Sequence, residues 1–235
     1  MRRSLAAKTD HWMLELGVKF LISYFIGSVM GAMLVGKLRG GVDIRTMGSG
    51  NAGGTNALRT QGIFFALGVV IVDVGKGVIG AGVVPGLELP FVPQDPEVSR
   101  TWLTLVCATG AVVGHVWPIY HGFKGGKGAA TLIGTLIVLA PELILGVLLV
   151  WGWVLVMTGY VGLATMTAAT SLPIWLGLTR LPDDQPLFIY ATIMAMCVIY
   201  WHWSNIRRMR EGTEHRNVRA MLFKPRDSKG ADDQS

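Results

Sequence analysis

The chain alternates long apolar runs with short, polar, glycine-rich segments. A helix of about 20 residues crosses the hydrocarbon core of a bilayer, and four of the five runs have roughly that length. Each of those four therefore predicts one membrane-spanning helix. The runs cover residues 16–35, 63–84, 102–119, 132–178 and 187–203.

The fourth run is more than twice as long as one span needs. Two breaks divide it, one at Ala140-Pro141-Glu142 and one at Thr158-Gly159-Tyr160. Proline and glycine at such points end or bend helices. The run is therefore interpreted either as three crossings, the first of them short, or as one crossing with re-entrant pieces.

The charges between the runs predict the topology. Lys and Arg gather at 37–59, 124–127 and 207–210, whereas 85–99 holds three acidic residues and no Lys or Arg. Cytoplasmic loops are enriched in Lys and Arg, so the three basic segments should lie inside and 85–99 outside. The loop around Arg180 is also net acidic, so the fourth run must cross an odd number of times. These constraints predict an all-α bundle of seven transmembrane helices, with the N-terminus outside and the C-terminus inside. The positive charges among the first eight residues favour the opposite orientation, but the three later basic segments outweigh them.

Composition supports one membrane domain, residues 1–215, followed by a solvated tail, residues 216–235. The chain is 51% hydrophobic and only 15% charged, with a mean hydropathy of +0.47, which is too apolar for a soluble domain. The net charge of +6 does not indicate nucleic-acid binding, because the basic residues are scattered beside the spans. Cys107 and Cys197 lie inside apolar runs without metal-ligand spacing, so neither a disulfide nor a metal site is expected.

The first polar segment, residues 48–56, is rich in glycine and hydrogen-bond donors. Successive backbone N–H groups in such a turn can converge on an anion, and hydroxyl and amide side chains add further donors. Arg59 follows closely and can hold a phosphate through two parallel hydrogen bonds. A flexible turn between spans is the alternative. The donor side chains of the segment are Ser49, Asn51, Thr55 and Asn56.

The second polar segment, residues 114–128, places Lys124 and Lys127 within a glycine run. Two cations there can neutralise anionic oxygens, but the spacing does not match a Walker A loop. His115 could be an ordinary buried histidine, or a group that titrates near neutrality beside a phosphate.

The third segment closes the last apolar run. His202 and Asn205 share one helix face, and two polar groups are unfavourable against lipid, so they are expected to face a polar site. Positive-inside anchoring explains Arg208 and Arg210. Within the second run Asp73 and Lys76 also share a face, and a structural ion pair is favoured there over a catalytic role.

Taken together, these motifs resemble the bacterial acyl-phosphate:glycerol-3-phosphate acyltransferases, the PlsY-type family. The resemblance runs from about residue 25 to residue 215 and rests on three segments in the family's order, together with the Asp-x-x-Lys-Gly pattern at Asp73. The segments are 41–56, 114–128 and 202–214. It implies a seven-helix bundle in the bacterial inner membrane, with its active site on the cytoplasmic side.

The resemblance also implies the reaction. A fatty acyl group would pass from acyl phosphate to the 1-hydroxyl of glycerol 3-phosphate, giving lysophosphatidic acid and inorganic phosphate, without cofactor or metal. The chain is expected to act as a monomer among membrane lipids. His115 and Ser49 are the expected catalytic residues. The expected substrate-binding residues are Asn51, Thr55, Asn56, Arg59, Lys124, Lys127, Thr165, His202, Asn205 and Arg207.

This chain departs from the family pattern at two places. Ala52 and Gly54 stand where the family commonly has Pro and Ala, and beyond Tyr160 only Thr165 keeps a hydroxyl where the family tends to have serines. Two rival interpretations fit part of the pattern. Acyltransferases that use acyl-CoA or acyl carrier protein usually carry His-x-x-x-x-Asp, a pattern this sequence lacks. An anion transporter would place its polar groups near the midplane rather than on one side.

Overall fold

The computed structural model describes residues 2–223, with side chains from residue 13 onward, and within that range the chain is helical without β-strands. The all-α prediction is confirmed for these residues. The tail prediction from residue 224 onward lies outside them. The helices are α1 (Arg2–Gly27), α2 (Gly31–Leu38), α3 (Gly54–Gln61), α4 (Ile63–Gly82), α5 (Arg100–Val116), α6 (Ala129–Leu139), α7 (Ile144–Thr158), α8 (Val161–Thr179), α9 (Gln185–Trp201) and α10 (Trp203–Arg210).

Five helical segments within the described residues are long and apolar enough to cross a membrane. The bent pair α9 and α10, with 51° between them, gives a sixth if it counts as one span, and α6 is a shorter apolar helix. The count of seven spans therefore remains a prediction. The five segments are Met13–Leu38, Ile63–Gly86, Arg100–His121, Pro141–Thr158 and Val161–Thr179.

Both predicted breaks of the long apolar run occur in the structure. α6 ends at Leu139, directly before Ala140-Pro141, and α7 ends at Thr158. Gly159 then adopts a φ of +76°, a conformation that glycine tolerates at the end of a helix. The run is thus three helices, and the number of crossings that they make remains a prediction.

The chain divides into two compact units, Met1–Pro141 and Glu142–Ser235, which we call the N-terminal unit and the C-terminal unit. The N-terminal unit contains α1 to α6, and both glycine-rich segments of the first half of the chain belong to it. The C-terminal unit contains α7 to α10 and the third polar segment.

Glycines let the helices of the N-terminal unit touch backbone to backbone. A Cβ atom added at Gly27 would overlap the carbonyl of Ala111, and one added at Gly114 would overlap the carbonyl of Tyr24, so α1 and α5 lie in direct contact. α4 and α6 meet in the same way at Gly77 and Gly134. Small residues at helix crossings are how membrane helices gain close packing without a hydrophobic driving force.

A buried ion pair fastens the loop between α4 and α5. Glu15 and Lys19 on α1 are 0% and 1% exposed, and their charged atoms lie 2.9 Å apart. The Glu15 carboxylate also accepts hydrogen bonds from the guanidinium of Arg100 (2.7 Å) and from the backbone N–H of Asp95 (3.0 Å). The loop that the charge pattern places outside is therefore anchored to α1.

Residues 216–222, which we call the strap, fold back onto the turn between α7 and α8. The backbone N–H groups of Asn217 and Leu222 donate to the carbonyls of Gly159 (2.8 Å) and Val156 (2.9 Å). Arg216 donates to the carbonyl of Thr158, and its guanidinium lies 5.6 Å from the ring centre of Tyr160. The packed structure thus continues past residue 215, where the sequence pattern placed the start of a solvated tail.

Candidate active site

Asp43 and Arg45 form the entrance to the first glycine-rich loop. The Asp43 carboxylate accepts from the backbone N–H of Arg45 at 2.9 Å, and from its guanidinium at 3.0 Å (Nε) and 2.8 Å (NH2). These hydrogen bonds from Arg45 hold the pKa of the Asp43 carboxyl below its usual range. The pair therefore stays charged at neutral pH and orders residues 43–46.

Asn56 holds the rest of this loop in place. Its side chain is 1% exposed, and its Nδ2 donates to the carbonyls of Ile44 (2.9 Å) and Met47 (3.0 Å). Its Oδ1 accepts from the backbone N–H of Ser49 at 2.9 Å. Gly48 packs against the same amide with a φ of +55°, which a larger residue would rarely adopt. The polar atoms of Asn56 are thus engaged by the loop itself.

The other predicted residues of the first segment lie nearer the surface. Ser49 and Arg59 are exposed, and Asn51 and Thr55 are half-buried. Thr55 lies in the first turn of α3, where backbone N–H groups have no acceptor inside the helix. The loop therefore presents hydroxyl, amide and guanidinium groups around an ordered backbone.

The second glycine-rich loop folds back on the end of α5. The backbone N–H groups of Gly125 and Gly126 donate to the carbonyls of Val116 and His115, both at 3.2 Å. Lys124 is exposed on this loop, and Lys127 is half-buried immediately before α6. Both lysines therefore stand on a turn whose backbone is tied to α5.

The structure brings the first and second loops together. The NH1 group of Arg45, on the first loop, donates to the carbonyl of His121, on the second, at 3.4 Å. Two glycine-rich segments separated by about 70 residues of chain thus form one polar surface on the N-terminal unit. The sequence of neither segment predicts this contact.

His115 is buried beside the intramembrane ion pair of α4. It is 3% exposed, and its Nδ1 lies 3.4 Å from Oδ1 of Asp73. The expected ion pair is present, with 2.9 Å between Lys76 Nζ and the same oxygen of Asp73. The pairing of Asp73 with Lys76 was predicted from their spacing, but their association with His115 was not, since it depends on how α4 and α5 pack.

The third segment forms a separate polar cluster in the C-terminal unit. Asn205 is buried and donates to one oxygen of Glu214 at 2.7 Å, while Nε of Arg208 donates to the other oxygen at 2.6 Å. His202 is also buried, with its Nδ1 2.8 Å from the carbonyl of Val198. Arg207 is exposed.

Anchoring at the membrane surface is therefore an incomplete account of Arg208. Its guanidinium bonds a carboxylate that Asn205 also bonds, so it helps to hold a predicted site residue. The signal that could have shown this is Glu214, one of two acidic residues in a segment that also carries three arginines. The five residues between Arg208 and Glu214 conceal the pair, because they include the end of the helix.

Thr165 is committed to contacts within the C-terminal unit. Its hydroxyl donates to the carbonyl of Val161 at 2.9 Å and accepts from the indole N–H of Trp151 at 3.2 Å. Gly162, one turn earlier, packs against Asn205, since a Cβ there would lie 2.9 Å from the Asn205 Nδ2. α8 therefore supports Asn205 directly.

Comparisons with known proteins identify the family. The family model described as glycerol-3-phosphate acyltransferase matches residues 18–212. The glycerol-3-phosphate acyltransferase of Salinibacter ruber is 39% identical over 214 residues, covering 86% of this chain and 92% of the relative. That of Chlorobium limicola is 36% identical over 228 residues, covering 87% and 97%.

A solved structure is similar over most of its length. The crystal structure of PlsY (YgiH), an integral membrane glycerol 3-phosphate acyltransferase in its glycerol 3-phosphate form, superposes with a TM-score of 0.71 at 30% sequence identity. The similarity covers 86% of this chain and 94% of that one. The chain therefore belongs to the family of integral membrane glycerol-3-phosphate acyltransferases.

Proposed function

We propose that this glycerol-3-phosphate acyltransferase takes its acyl group from acyl phosphate and transfers it to the 1-hydroxyl of glycerol 3-phosphate. The products would be lysophosphatidic acid and inorganic phosphate. The observation that carries the proposal is the contact between two glycine-rich, basic loops through Arg45 and the His121 carbonyl. Two phosphate groups, each with about −1.5 to −2 charge, need such cation-rich and donor-rich surroundings.

In the N-terminal unit, the first loop would bind one phosphate and the second loop the other. Ser49, Asn51, Thr55 and Arg59 would donate hydrogen bonds from the first loop, whose shape Asn56 maintains. Lys124 and Lys127 would neutralise charge on the second loop, including that of the departing phosphate. This division gives each phosphate at least one cation.

In the C-terminal unit, His202, Asn205 and Arg207 are the candidates for contact with the glycerol phosphate. Asn205 already donates one N–H to Glu214, which fixes its orientation. Thr165 is the weakest candidate, because its hydroxyl already donates and accepts within the unit.

The reaction requires mainly that the protein orient its substrates and stabilise the charge on their phosphate groups. The glycerol hydroxyl oxygen would attack the acyl carbonyl carbon, the bond from that carbon to the phosphate oxygen would break, and the hydroxyl proton would pass to a phosphate oxygen or to His115. Acyl phosphate is already activated, so orientation and electrostatic stabilisation account for most of the rate, with no cofactor or metal required.

The proposed setting is the bacterial inner membrane, with a monomer of seven spans, the N-terminus outside and the three polar segments on the cytoplasmic side. The bent α9 and α10 would form one span and α6 another. Single cysteines at positions 50, 90 and 125, in a background lacking Cys107 and Cys197, test this orientation. An impermeant reagent on intact cells should label position 90 alone, and labelling at 50 or 125 would refute it.

Product formation by the purified protein tests the reaction itself. With acyl phosphate and glycerol 3-phosphate, lysophosphatidic acid and inorganic phosphate should appear in equal amounts in buffer containing a chelator. Acyl-CoA supplied in place of acyl phosphate should give no product. Turnover with acyl-CoA and none with acyl phosphate would show that the proposed donor is wrong.

A further inference from the structure

Three buried ionisable side chains meet where the first membrane segment is interrupted. α1 ends at Gly27 and α2 begins at Gly31, and the chain between them is not helical. Asp73, Lys76 and His115 lie at this interruption and are 1%, 4% and 3% exposed. Burial of such groups within a membrane segment is expensive, so their contacts point to a role.

Asp73 and Lys76 satisfy the backbone groups that the interruption leaves without helical partners. Oδ1 of Asp73 accepts from the backbone N–H of Gly31 at 3.1 Å, and Nζ of Lys76 donates to the carbonyl of Val29 at 2.9 Å. In the apolar interior such groups need a partner from elsewhere in the protein. α4 therefore fixes the break in place.

His115 lies between this ion pair and the second glycine-rich loop. Its Nδ1 lies 3.4 Å from Oδ1 of Asp73, within ion-pair distance, and makes no hydrogen bond of regular geometry with any atom of the described residues. Its Nε2 faces Gly126, where an added Cβ would overlap the imidazole. The two ring nitrogens thus face different groups, one the carboxylate and the other the lysine-bearing loop.

We propose that Asp73 and Lys76 are positioning residues that act through His115. Asp73 holds the imidazole with its proton on Nδ1, so that Nε2 is presented without a proton towards the loop that carries Lys124 and Lys127. Lys76 pairs with Asp73 at 2.9 Å and fastens it to the α1–α2 break. The proposal rests on the proposed role of His115 in acyl transfer, and it assigns to α4 the control of the histidine's orientation.

The chain offers a matched control in Glu15 and Lys19. Those residues also form a buried carboxylate and ammonium pair at 2.9 Å, they are 0% and 1% exposed, and they too bond backbone groups. They fasten the loop between α4 and α5 rather than a histidine. Changes to this pair therefore report what loss of a buried ion pair does to the fold alone.

The test is a double-mutant cycle between Asp73→Asn and His115→Gln, read as kcat and KM for glycerol 3-phosphate. Each single variant should lower kcat by about tenfold or more, within the range for residues in contact. The double variant should be no worse than His115→Gln alone, because Asp73 acts only through the histidine. Glu15→Gln should lower the melting temperature but leave kcat within about threefold of the wild type. In the double variant with His115→Gln, the two effects on kcat should simply multiply.

A second variant keeps the test decisive if Asp73→Asn does not fold. Asp73→Asn combined with Lys76→Met removes both charges, so that no unpaired ammonium stays buried. This variant should fold and still show the low kcat. Losses that multiply between positions 73 and 115, or a normal kcat in the charge-free variant, would overturn the proposal. Each kcat and KM is expressed as a ratio to the wild-type value, measured with the acyl donor that the wild type accepts. Failure of the acyl phosphate assignment would therefore appear separately, as absence of wild-type turnover with acyl phosphate.

Discussion

The sharpest prediction about the first loop concerns Asn56→Asp. This change keeps the size of the side chain and keeps an oxygen that can accept from the Ser49 N–H. It removes both donors that now reach the carbonyls of Ile44 and Met47. The loop should therefore lose its internal support while every proposed substrate-binding group of the loop other than position 56 remains.

The expected magnitude follows from those two lost hydrogen bonds. A buried carbonyl left without a donor costs about 1–2 kcal/mol, so two of them cost about 2–4 kcal/mol in the free energy that keeps the loop closed. The population of the open loop should then rise by a factor of about 30 to 900. Repulsion between the new carboxylate and the two carbonyl oxygens acts in the same direction.

Limited trypsin digestion measures this opening, because Arg45 lies inside the loop. Where opening and closing are fast, the cleavage rate follows the open population. Cleavage after Arg45 should therefore be at least about 30-fold faster in Asn56→Asp, and KM for glycerol 3-phosphate should rise in parallel. Cleavage after Arg210, in the other unit, serves as the internal reference.

Thr60→Val is the matched control. Thr60 is half-buried near the loop, and its hydroxyl donates to the carbonyl of Asn56 at 2.9 Å, inside α3. Its loss should change neither cleavage nor KM appreciably. If Asn56→Asp is cleaved after Arg45 within threefold of the wild-type rate, the amide does not hold the loop. A raised KM without faster cleavage would instead indicate direct contact between Asn56 and substrate.

Three further predictions concern other parts of the site. Gly162→Ala should raise KM for glycerol 3-phosphate because the new methyl displaces Asn205, whereas Gly152→Ala, where a Cβ meets nothing within 4 Å, should be neutral or stabilise the helix by about 0.5–1 kcal/mol in thermal unfolding. The lowered pKa of Asp43 means that loop ordering is complete above the ordinary carboxyl pKa and is lost as pH falls through the lowered one. The hydrogen-exchange protection of residues 44–47, corrected for the intrinsic exchange rate at each pH, should therefore fall below about pH 4, and Asp43→Asn should lack that step. Arg59→Lys should lower kcat/KM by a factor equivalent to about 2 kcal/mol of transition-state stabilisation, since a lysine cannot form two parallel hydrogen bonds with phosphate. A normal kcat/KM would refute the role of Arg59 in phosphate binding.

Sequence patterns predicted two helix breaks but not a third. The breaks at Pro141 and Gly159 could be predicted because proline and glycine end helices through local effects. The interruption between α1 and α2 passes through Ser28, Val29 and Met30, which carry no such signal. It depends on Lys76 and Asp73 reaching across from α4, and a contact between distant segments leaves no periodicity in either.

The polar loops were predicted as a group, but the role of each residue within them was not. Density of donors beside glycines marked residues 48–59 as an anion-binding region. Which donors face a ligand and which support the backbone depends on the path of the loop. Asn56 and Ser49 have similar local sequence contexts, yet one is buried within the loop and the other is exposed. Arg208 shows the same limit, because its partner Glu214 lies beyond the end of α10.

The strap has a consequence for the order in which the protein matures. The last turn of α7 and the turn that follows it receive hydrogen bonds at Val156 and Gly159 from residues 222 and 217, which are synthesised after α8, α9 and α10. While those helices are entering the membrane, the turn must remain without its final partners. It can be completed only once Arg216 and the residues after it have left the ribosome. During biogenesis, the surroundings of Tyr160 are therefore among the last parts of the C-terminal unit to reach their mature form.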